Sequence, residues 1–244
     1  MNRNVYEYSK GDGKLFLEKM EFQWKNFCDN VSCLGKTKKV MDEMNAESID
    51  KIRRNGGELT IWIHGIFQNY HRFLKSTVEL FGERDVTIIS VGYNYFSSTE
   101  EAAKEISFKI NDLMRKARVN KINLIGVSYG GCVVRHYVEY LGGHKKVNKL
   151  VSVCSPYSGL SKKSVAHRMT KFAGNNKDIT EDIFYRNSCR NHFVIHALND
   201  WCIGEQKILC PEVRQMFVRG GHNPSANDPR KLELILKILK GEIS

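Results

Sequence analysis

Ser128 stands in Gly126-Val127-Ser128-Tyr129-Gly130, directly after the apolar run Ile122, Leu124, Ile125, Val127. A hydroxyl becomes a nucleophile when a base takes its proton. The small residues two before and two after Ser128 let a strand turn sharply into a helix, which pushes the side chain out above the sheet. G-x-S-x-G is short, however, and alone it also describes a plain Gly/Ser turn. A serine nucleophile needs a base, an acid to orient that base, and N–H donors for the oxyanion of a tetrahedral intermediate.

The chain offers each at the end of an apolar run. His64-Gly65-Ile66-Phe67 follows Leu59–Ile63. Its loop would supply one oxyanion donor, Ile66 first and Phe67 second, with Tyr129 at the positive end of its helix as the other. Asp200, in LNDWCI, is the candidate acid, although an Asn-Asp turn leaving a strand reads the same way. Asp178 and Asp182 are the fallback acids. His222, in VRGGHNP, is the candidate general base. Ser155-Pro156-Tyr157-Ser158-Gly159 either shapes an acyl pocket through Tyr157 or is a proline turn. Tyr93, Tyr95 and Phe96 line a hydrophobic pocket or simply pack, and both readings stand; Phe67 joins Tyr93 and Tyr157 as a pocket candidate.

The elements that must hold these groups alternate. Strands are expected over 59–64, 86–91, 121–127, 147–153, 192–198 and 213–218. Helices are expected over 67–81, 99–118, 129–141 and 228–240, the last with Leu232, Leu234, Ile235, Ile238 and Leu239 on its apolar face. Strands separated by helices require right-handed crossovers and a mostly parallel sheet covered on both faces, with functional groups at the carboxyl ends of its strands. Residues 1–57 read as a helical extension of two helices linked near Gly35, packing on the main body, with a membrane-anchoring amphipathic helix as the lesser reading. The alternation stops between Cys154 and Cys189, and residues 155–190 read as a partly helical cap inserted in a single domain over 58–244.

Composition bounds the rest. The 41% hydrophobic content over 244 residues suffices for one sizeable core. A formal charge of +11 favours anionic surroundings, such as an acidic lipid surface. The basic residues are dispersed and lack a recognition motif, which argues against nucleic acid. Seven scattered cysteines suggest free thiols in a reducing compartment, and Cys28 and Cys33 lack a second ligand pair at zinc spacing. No apolar run reaches membrane-spanning length, so the expectation is a cytoplasmic protein, at most peripheral to a membrane.

Taken together, IWIHGIF, GVSYGG, SPYSG, LNDWC and GGHN resemble the α/β-hydrolase superfamily, and within it small lipases and esterases with a His-Gly oxyanion motif. The resemblance spans residues 59 to about 240. It implies nucleophile Ser128, acid Asp200 and base His222 in the superfamily's chain order, with oxyanion donors Ile66 and Tyr129. It implies an α/β-hydrolase fold, with a sheet of about six strands because the N-terminal segment does not supply the first two of the full fold. The expected activity is cofactor-free, metal-free cleavage of a small-molecule or lipid ester through an acyl-enzyme. A thioesterase or acyltransferase would use the same residues. A non-catalytic binding protein of this fold would more usually have lost one of the three groups. The sequence leaves oligomeric state open.

Overall fold

The computed structural model describes residues 43–66, 77–78, 80–159, 188–198, 200, 202–204, 206, 210–222 and 229–243. Six strands form one sheet: β1 (Leu59–Ile63), β2 (Ile88–Val91), β3 (Ile122–Val127), β4 (Val147–Val153), β5 (His192–Ala197) and β6 (Arg214–Val218). Their order is β2-β1-β3-β4-β5-β6, and every neighbouring pair is parallel. The described helices are α1 (residues 43–55), α2 (Thr99–Ala117), α3 (Tyr129–Tyr140) and α4 (Arg230–Lys240), with further helical residues between 77 and 82.

The continuous apolar runs of the central strands resolve into two stripes, because alternate side chains point to opposite faces. Ile61, Ile63 and Leu124 join a core with Ile49 and Ile52 of α1, Ile106 and Ile110 of α2, and Val133 and Val138 of α3. Trp62, Ile125, Val151 and Ile195 pack on the other side with Phe81 and with Leu232, Ile235, Leu236, Ile238 and Leu239 of α4. This is the α/β-hydrolase fold expected from the sequence, with helices on both faces of a parallel sheet.

Local chemistry sets the element ends. Ser98 caps α2: its hydroxyl accepts from Glu101 N at 3.2 Å while the Glu101 carboxylate accepts from Ser98 N at 3.0 Å. At the outer edge of β2, Asn45 of α1 does what a neighbouring strand would do. Its amide donates to Ser90 O at 2.9 Å and accepts from Ser90 N at 3.2 Å. A helix thereby satisfies a strand edge that would otherwise offer unpaired groups.

One expectation changes. In α4, Leu236 is buried where the sequence pointed to Leu234, which is half-buried, and Lys231 is fully buried. The first N-terminal helix, most of 67–81 and residues 160–187 of the expected cap lie outside the described residues.

Candidate active site

β3 delivers Ser128 to the carboxyl edge of the sheet and α3 leaves from it. Ser128 N donates to Val153 O at 2.8 Å, so the ladder with β4 continues one residue past β3. The backbone then turns through φ 53°, ψ −127°, a conformation that costs a non-glycine residue about 1–3 kcal/mol. Ser128 is the N-cap of α3, yet its side chain makes no capping bond to the helix. The turn is possible because glycine lines its path. A Cβ on Gly130 would sit 2.5 Å from Ile63 O and still closer to His64 O, and one on Gly65 would lie 2.8 Å from the Ser128 Cβ. The loop after β1 and the first turn of α3 therefore meet in direct backbone contact around the serine.

His222 comes from the segment after β6 and Asp200 from the segment after β5. His222 Nε2 lies 2.8 Å from Ser128 Oγ, and Nδ1 lies 2.9 and 2.8 Å from the two Asp200 carboxylate oxygens. With a neutral ring, Nδ1–H donates to Asp200 and Nε2 accepts from Ser128. Both side chains of the pair are almost fully enclosed, 7% and 6% exposed. Asp200 Oδ1 also accepts from Cys202 N and Ile203 N, each at 3.1 Å. The turn and the acid are thus one structure, since the bonds that make Asp200 a turn residue also fix its carboxylate. Burial disfavours the charged form of His222, but Cys202 and Asp200 beside it outweigh burial and push its pKa up to about 10.

On the oxyanion side, Ile66 follows Gly65 in the loop after β1 and is half-buried, while Tyr129 opens α3. His64 is braced and chemically quiet. Its ring stacks on Tyr93 at 4.9 Å, Nδ1 lies 2.7 Å from Gly65 O, and burial takes its pKa down to about 4, leaving it neutral. Tyr93 donates its hydroxyl to His64 O at 2.9 Å.

Of the tyrosines left open between a substrate pocket and packing, Tyr93 and Tyr157 are both buried. Tyr93 is a core residue that holds the His64 loop from beneath. Tyr157 is 1% exposed, with its ring under the Arg135 guanidinium at 5.1 Å. Its hydroxyl donates to Gly131 O at 3.1 Å and lies 2.5 Å from Ser152 Oγ. It supports the first turn of α3 from inside the protein, because an aromatic with a hydroxyl can fill apolar space and still satisfy a carbonyl. Phe67, Asp178 and Asp182 lie outside the described residues.

Three groups at the site escaped sequence reasoning. Cys154 follows β4 at φ 49° and is buried; its thiol lies within 4.8 Å of the Asp200 carboxylate, and burial pushes its pKa far up. Cys202 lies near enough to His222 to favour its charged form. Lys231 is wholly buried and donates Nζ–H to Gly221 O at 2.6 Å. Only Cys154 carried a signal, its place at the carboxyl end of a strand beside those bearing Ser128 and Asp200. Ligand atoms of Cys154, Asp200 and His222 lie within 4.8 Å of one another, a set that suits a borderline metal by donor type. Asp200 and His222 are already bonded to each other, however, and the Lys231 charge acts on Cys154 from nearby, which opposes a cation there. Among the described residues, no helix is long and apolar enough to cross a membrane.

Several solved structures share this fold. The chain is similar to a meta-cleavage product hydrolase from Pseudomonas fluorescens at 11% identity and TM-score 0.57, over 77% of this chain and 92% of that one. It is similar to a monoacylglycerol lipase from Paleococcus ferrophilus at 15% identity and TM-score 0.56, over 76% and 95%. A Pyrococcus furiosus esterase aligns at 16% identity and TM-score 0.54, over 77% and 82%. A search of curated protein sequences finds no match. A family described as palmitoyl protein thioesterase matches residues 60–199, more than half of the chain, from β1 through β5 and including Ser128. That stretch ends one residue before Asp200, so Asp200 and His222 both lie beyond it. By this match the chain belongs to the palmitoyl protein thioesterase family, within the α/β-hydrolase superfamily.

Proposed function

We propose that this chain hydrolyses acyl thioesters and carboxylic esters through Ser128, His222 and Asp200, by way of a covalent acyl-enzyme. The observation that carries this reading is the continuous contact from Ser128 Oγ through His222 to Asp200, at 2.8 Å on either side of the ring. As Oγ attacks the acyl carbon, His222 Nε2 accepts its proton and the carbonyl electron pair moves onto oxygen. The N–H groups of Ile66 and Tyr129 receive that oxyanion, and the α3 dipole adds to the field there. Collapse expels the thiol or alcohol, which takes its proton from His222. Water then attacks the ester on Ser128 with the same histidine as base. Family membership favours the thioester, and the lipase and esterase neighbours keep oxygen esters, lipid esters among them, in the substrate range.

The experiment is covalent labelling by a fluorophosphonate followed by turnover on matched acyl thioesters and oxygen esters of increasing chain length. Wild type should label and Ser128→Ala should not. Asp200→Asn should keep the fold and lose about 10⁴-fold in kcat. Equal labelling of Ser128→Ala would remove the serine mechanism, and full turnover in Asp200→Asn would assign the acid elsewhere. If acyl groups pass to an added alcohol or amine in preference to water, the activity is acyl transfer.

A further inference from the structure

We infer that Lys231 is a positioning residue for the catalytic base, acting through the Gly221 carbonyl and through its charge. This rests on the serine-hydrolase reading and adds a fourth side chain to it. Lys231 lies in the first turn of α4, on the face turned to the sheet, and is 0% exposed. A buried ammonium is costly unless something compensates it, so its place requires a reason. Its Nζ donates to Gly221 O at 2.6 Å, and Gly221 is the residue immediately before His222. Gly221 lies beyond the end of β6, and the bond ties it to α4.

The charge has a second effect. Lys231 acts on Cys154, whose thiol lies within 4.8 Å of the Asp200 carboxylate and of the His222 ring. Around His222 stand Ser128 after β3, Cys154 after β4, and Asp200 and Cys202 after β5, while His196 of β5 feels Asp200; Lys231 of α4 reaches this group through Cys154 and through its bond to Gly221. Asp200 and Cys202 favour the imidazolium, whereas the ammonium opposes it. Lys231 thus offsets the pull that would keep the base protonated, and it fixes the carbonyl next to the ring.

The test uses Lys231→Met and Lys231→Gln in the full chain, with fluorophosphonate labelling, thermal melting, and kcat and KM across pH. Gln keeps a donor for Gly221 O and drops the charge. In both variants the acid limb of kcat/KM should move up by about one pH unit. Lys231→Met should also lose about 10- to 100-fold in kcat with KM little changed, and Lys231→Gln should lose less. Should Lys231→Met not fold, Lys231→Gln alone carries the charge arm. An acid limb that stays with wild type, or moves down, overturns the inference, as does a defect confined to melting temperature or KM. Failure of the wild-type protein to label at Ser128 would instead remove the hydrolase reading beneath it.

Discussion

Each chemical group at this site is shaped by what it is bonded to on its other side. Ser128 is held by a backbone bond to Val153 and so presents its hydroxyl without help from its own helix. His222 is the residue whose surroundings have the clearest kinetic consequence. Its pKa near 10 lies above the unfolded value of 6.5, so its bound proton stabilises the fold fully below about pH 6.5, and that contribution is lost as pH rises through about 10. The same proton must leave before the ring can accept one from Ser128, so kcat/KM should climb into the alkaline range. Cys202→Ala removes the leading influence favouring the imidazolium and should bring the acid limb down by about one pH unit or more. An unmoved limb in a pH series of thioester hydrolysis would leave Cys202 without that role.

At the scale of elements, the site depends on how closely the loop after β1 meets the start of α3. Gly130→Ala puts a methyl group 2.5 Å from Ile63 O, and α3 must shift to accommodate it. Overpacking of this kind costs about 1–3 kcal/mol, so the variant should melt several degrees lower and react more slowly with a fluorophosphonate. Wild-type melting and labelling would show that the contact has slack. The strands were legible because a parallel sheet buries both faces and writes itself as apolar runs: Val147–Val153 was read with its observed ends, and the other observed strands lie within one or two residues of expectation. Ser128, Asp200 and His222 were legible for the related reason that each follows such a run. Lys231 was not, since α4 carries several lysines at helical spacing and periodicity cannot say which one turns inward. Tyr157 stayed open between pocket and turn because a tyrosine in a loop after a strand looks the same whether it faces a substrate or the core.

For the molecule as a whole, the formal charge of +11 sets how it meets other bodies. Vesicles containing acidic lipid should bind it at low salt and release it as ionic strength rises from about 0.01 to 0.15 M, where the screening length falls from about 30 to 8 Å. Sedimentation that ignores salt, or no binding at all, would end the idea of a charge-guided surface encounter. The reacting groups are also far apart along the chain, Ser128 and His222 being separated by 94 residues and Asp200 and His222 by 22. That separation orders events in time. A chain emerging from the ribosome could pair β1 through β5 and hold its serine and its acid in place while nothing can yet take the serine's proton. On the proposed mechanism, chemical competence would arrive only when the last strand docks and α4 closes over it, and the nascent protein would be silent toward acyl groups until its sheet is complete.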